Sequence, residues 1–68
     1  MPWYSFVACW PEGGADDTRT TSLSDRDEAR HYAHLIIREL KSHPDYRHAG
    51  QRMVVRDDDG HVVEVIPF

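Results

Sequence analysis

Between Ser24 and Ser42 the apolar side chains Ala29, Tyr32, Ala33, Ile36, Ile37 and Leu40 recur at helical intervals. Their spacing predicts an amphipathic helix with one buried stripe. Ser24 with Asp27, or Asp25 with Glu28 one residue later, supplies the N-cap and the returning side chain. Acidic groups at Asp25, Asp27 and Glu28 and a basic Lys41 complement the helix dipole at its two ends. Pro44 disfavours helical geometry at His43, so the helix is expected to end near Ser42.

Elsewhere the period changes from helical to alternating. In Trp3–Trp10 the residues Tyr4, Phe6, Ala8 and Trp10 fall on one side and Trp3, Ser5, Val7 and Cys9 on the other, which predicts a strand with Tyr4 and Phe6 toward the helix. Pro11 and the Gly13-Gly14 pair then make a turn. Asp17–Thr21 is threonine-rich without large apolar groups, so it reads as a short second strand at a sheet edge.

Beyond a polar loop over residues 43–50, the chain closes with RMVVR, DDDG and HVVEVIPF, the pattern of a hairpin. A two-residue Asp59-Gly60 loop would set Val55 opposite Glu64. A three-residue loop of Asp58, Asp59 and left-handed Gly60 pairs Val55 with Val63 and Met53 with Val65, and this is the register we expect. It turns Met53, Val55, Val63 and Val65 toward the helix and Arg52, Val54, Arg56, Val62, Glu64 and Ile66 away from it. A β-branched residue at position 60 should cost roughly 1 kcal/mol or more.

The expected fold class is therefore α+β: a two-layer β-β-α-β-β arrangement, with the helix on one face of a small, mainly antiparallel sheet and residues 1–68 as a single domain. The opposite face has no second helix. Trp3, Val7, Val54, Val62 and Ile66 point there, and with Trp10 they form the candidate interaction surface.

Composition adjusts this picture only slightly. A chain of 68 residues buries about 60% of its unfolded surface, and Cys9, the one cysteine, cannot staple it. Both facts favour a homodimer or another protein partner, and a reducing, cytoplasmic setting. No leader-like segment and no apolar run of ~20 residues is present, so no membrane contact is expected. The net charge of −4 disfavours nucleic acid as a partner.

M-P-x-Y-x-F at Met1, Pro2, Tyr4 and Phe6 opens the chain. Further on come the helix start leading to Ala29 and Ala33, the strand ending at Val55 with Asp57 and Gly60 in the turn after it, and the final Pro67-Phe68. Together these pieces resemble a family of small proteins of unknown function common in soil-dwelling, rhizobial-type proteobacteria. The resemblance spans nearly the whole chain and departs from the family pattern between Trp10 and Leu23. It implies the same fold and a bacterial cytoplasmic origin, with no assigned activity and no catalytic residue.

Three constellations bear on chemistry. Arg26, Arg30, His34 and Arg38 stand at four-residue steps and stack as a basic ridge on the helix, with Lys41, Arg47 and His48 nearby. The ridge is a candidate anion-binding surface for phosphate or nucleic acid, although Asp27, Glu28 and Glu39 offset it and an acidic chain lacks the usual footprint. His31 and His34 are adjacent on a helix, with Cys9, His43 or Asp45 needed to complete a metal site, but the spacing matches no zinc motif and no metal or other cofactor is expected. Asp57, Asp58 and Asp59 lack the remaining positions of a calcium loop. A strand thiol at Cys9 reads as a small apolar group, and one helix on a small sheet leaves little room for a pocket of ~300 Å³. No catalytic residues are expected.

Overall fold

Alternation in the aromatic N-terminal stretch becomes strand β1, Trp3–Cys9, which buries Tyr4, Phe6 and Ala8 and leaves Ser5, Val7 and Cys9 half-exposed. The computed structural model describes residues 1–45 and 50–68, with the backbone alone at Asp17 and Thr18. After β1 come β2, Ala15–Ser22, the helix α1, Arg26–Lys41, and strands β3, Arg52–Arg56, and β4, Val62–Pro67. The strands form one antiparallel sheet in the order β2-β1-β3-β4. The helix joins the β2 edge to the central β3 and covers one face, giving the expected two-layer α+β architecture.

Local chemistry sets the helix ends. Asp25 is the N-cap, its Oδ1 accepting the Glu28 N–H at 2.9 Å, while the Glu28 carboxylate accepts from the Ser24 N–H and hydroxyl at 3.2 and 2.9 Å. At the other end the Ser42 N–H donates to the Arg38 and Glu39 carbonyls, where Pro44 leads one to expect the stop. Between them Ala29, Ala33, Ile36 and Ile37 are buried. The two alanines let the helix axis approach the sheet, and Phe6, Met53 and Val55, each without exposed surface, fill the interlayer space. The Phe6 ring meets Tyr32 at 5.2 Å in a tilted pair.

Strand β2 is longer than its composition suggests. Its pairing with β1 jumps from Phe6↔Arg19 to Val7↔Asp17, so Thr18 is the extra residue of a bulge that lets a polar edge strand follow β1 along its length. Arg19 ties this edge to the helix by donating from Nη1 to the Tyr32 hydroxyl at 2.9 Å. That hydrogen bond holds the guanidinium's pKa above its usual value.

The final hairpin corrects half of the expected register. Its turn is the three-residue loop: Asp57 N–H donates to the His61 carbonyl, Gly60 N–H to the Asp57 carbonyl, and Gly60 has φ +82°. Arg56 still pairs with Val62, but the next pair is Val55↔Glu64, followed by Val54↔Val65 and Met53↔Ile66. Val63 is thus a bulge residue, and beyond it every β4 side chain changes face. Ile66 is buried in the core and Val65 is exposed, the reverse of the expectation. The physical reason lies at the C-terminus, where the bulge brings Ile66 and Phe68, in place of Val65 and Pro67, against the core. Exchanging Val for Ile alone adds about 0.8 kcal/mol of burial, and the Phe68 ring adds more.

Candidate interaction surface

Register determines what the uncovered face presents. Along its middle row Val54 lies between Val7 on β1 and Val65 on β4. One step along the strands, Arg56 sits between Ser5 and Val62, with Thr20 beyond Ser5. A step in the other direction, Arg52 sits between Cys9 and Pro67. Trp3, Val62 and Val65 are 55%, 50% and 48% exposed, a large apolar exposure for so small a sheet. Trp3 is fixed at the margin by its N–H, which donates to Asp58 Oδ1 at 2.7 Å.

A shallow groove of about 650 Å³ crosses this face, lined by Ser5, Val7, Cys9, Thr20, Val54 and Arg56 among others. Its volume exceeds what a small two-layer fold leads one to expect, because the space lies outside the sheet and not between the layers. The lining mixes hydroxyls, a guanidinium and aliphatic carbons, and Cys9 stands opposite Ala15 and Arg52.

Of the residues assigned to this surface from sequence, Trp3, Val7, Val54 and Val62 are there. Ile66 is not, being a core residue, and Val65 takes the place it was given. Trp10 lies beyond the end of β1 in a turn in which its N–H donates to the Gly14 carbonyl at 2.8 Å. A signal for Val65 is present in the sequence in hindsight: Glu64 opposite Val55 is tolerable where a helix arginine can reach it.

That arginine belongs to the basic ridge, which the structure divides. Arg26 donates from Nε and Nη2 to the Val63 carbonyl at 3.3 and 3.0 Å, covering the oxygen that the bulge leaves at the sheet edge. Arg30 approaches Glu64 at 3.9 Å, an exposed pair worth at most about 1 kcal/mol. His34 and Arg38 remain exposed on the helix. The ridge therefore spends its first half on β4, while Arg47 and His48 lie outside the described residues.

His31, His34, His43 and Asp45 are all exposed. The groups that converge among the described residues are instead Asp57, Asp59 and His61, whose ligand atoms lie within 4.8 Å of one another. Turn formation accounts for this cluster: Asp57 Oδ1 accepts the Asp59 and His61 N–H groups at 3.0 and 2.9 Å. No helix among the described residues is long and apolar enough to cross a membrane.

These features define a small α+β protein whose sheet is covered on one face and bare on the other. The chain belongs to the family described as "Domain of unknown function (DUF6894)", which matches residues 4–68. No curated protein and no solved structure matches it.

Proposed function

We propose that this is a non-catalytic interaction module that meets its partner through the open face of the sheet, in the cytoplasm of a bacterial cell. The observation that carries this reading is the coincidence of Trp3, Val62 and Val65, each about half exposed, on the one sheet face that α1 does not cover. Water against such a row is unfavourable by roughly 25 cal/mol per Å² of apolar surface, which a partner recovers. The groove in that face is wide and shallow, a shape for a broad contact more than for enclosing a small substrate. Two of the four ridge groups are already engaged at β4, which favours the sheet over the helix as the working surface.

Affinity capture with three versions of the chain tests this. Wild type and Arg38→Glu are expected to retain the same proteins, and Val54→Lys to lose them, because lysine at the centre of the row puts a charge into the contact. Equal capture by Val54→Lys would remove the open face from consideration. Loss on Arg38→Glu would move the function to the helix.

A further inference from the structure

We propose that the occupant of the open face is a second copy of this chain, stacked sheet to sheet about a twofold axis running along the strands. In this arrangement β3 of each copy lies over the other's β1. The inference rests on the reading of this face as a contact surface and names what covers it.

Size is the first support. The molecule is a slab with extents of 34 × 23 × 15 Å. Its broad side is comparable with the ~800 Å² that each partner contributes to a stable interface. A copy of equal size covers the face without overhang.

The sheet edges supply the second support. On β4 the Val63 bulge breaks the ladder, Arg26 occupies the Val63 carbonyl, and Pro67 has no N–H to offer. On β2 the bulge at Thr18 interrupts the edge. Both devices oppose growth by strand addition, which leaves the face as the surface through which two copies can meet.

Charge then selects the arrangement. Arg52 and Arg56 stand on the open face, and neither forms an ion pair among the described residues. A twofold axis across the strands would set β3 over β3 in reverse, bringing Arg52 against the partner's Arg56. An axis along the strands keeps each level of the sheet opposite itself. Arg56 then meets the partner's Ser5, Val54 meets the partner's Val7, and Arg52 meets the partner's Cys9. An isologous contact repeats each of these pairs, so two guanidinium–hydroxyl contacts lie at one end of a valine centre, and no arginine stands directly opposite another. Aligned sheets pack about 10 Å apart with their strands within about 30°, close enough to keep these levels in register.

Sedimentation equilibrium on the full chain provides the test, with circular dichroism on each variant to establish folding. Wild type is expected to reach the dimer mass at micromolar concentration. Val54→Lys and Val62→Lys should each weaken the dimer by about tenfold or more; position 62 is already half exposed, so its variant carries the readout if Val54→Lys fails to fold. Arg52→Glu decides the arrangement: no change or a weaker dimer fits β3 over β1, whereas a tighter dimer would reveal Arg52 facing Arg56 and overturn it. A wild-type monomer throughout the micromolar range would overturn the second copy but leave the open-face reading intact if Val54→Lys still loses captured proteins. A dimer indifferent to both lysines would overturn both.

Discussion

The two ends of the sheet are built on different terms. At the hairpin end, main-chain polar groups are met by side chains: Asp57 Oδ1 caps two N–H groups, Asp58 holds the Trp3 N–H, Asp25 caps α1, and Arg26 takes the Val63 carbonyl. At the opposite end Gln51, 1% exposed, buries a side-chain amide whose nitrogen and oxygen have no hydrogen-bond partner among the described residues. Here the chain is held by long-range main-chain contact, the Phe68 N–H on the Gln51 carbonyl. Gly50, φ +75°, lies where an added Cβ would stand 2.8 Å from Pro11 Cγ. One end is specified by side-chain hydrogen bonds, the other by close packing.

Glycine substitutions should separate the two most sharply. Gly50→Ala meets left-handed strain of about 1–2 kcal/mol and, because a proline ring cannot swing aside, a further 1–3 kcal/mol or so from overpacking. Gly60→Ala meets the strain alone, since nothing stands within 4 Å of its added Cβ. Denaturant melts should rank Gly50→Ala as the more damaging. Equal losses would mean that the Pro11 contact relaxes without cost.

Gln51→Met is expected to act in the other direction. Burying an amide without partners costs about 1–3 kcal/mol, and a methionine of similar length removes the group while keeping the volume. The unfolding midpoint should rise by an amount of that order. A fall would show that the amide is satisfied in solution. The same reasoning predicts a loss for Asp57→Ala of about 1–2 kcal/mol, because two turn N–H groups lose their acceptor, and for Asp25→Ala of about 1 kcal/mol from the lost cap. Both changes lie at the hairpin end, and proton exchange should quicken for Asp59, His61 and Glu28 before it does for Gln51.

What was legible in the sequence follows the same division. The helix limits, the Asp25–Glu28 alternative for the cap and the left-handed Gly60 turn were readable because Asp, Ser, Pro and Gly act on backbone within a few residues. The inward and outward sides of β1 and β3 were readable because alternation survives wherever a strand is regular. The faces of β4 were not. A bulge at Val63 has no local signature in a run of β-branched residues, and its benefit, Ile66 and Phe68 against the core, is collected three to five residues later. On the candidate surface, Trp3, Val7, Val54 and Val62 were found through alternation, and Ile66 was exchanged with Val65 through the bulge. The length of β2 is hidden for a related cause, the bulge at Thr18.

Glu64→Val asks which of these forces holds the register, and it should have the smallest effect on stability. The wild-type glutamate opposes Val55 and its carboxylate is reached only loosely by Arg30. Losing an exposed pair costs at most about 1 kcal/mol, and a valine in the same half-buried position recovers a similar amount, so the net change should stay within about 1 kcal/mol. The substitution also removes the one charge that distinguishes the two registers, since a valine at 64 is equally at home inward or outward. If Ile66 and Phe68 hold β4 in place, contacts between the Ile66 methyls and Met53 will persist in the NMR spectrum of the variant. Contacts from Val65 to Met53 in their place would show that the Arg30–Glu64 pair, and not the C-terminal packing, fixes the bulge.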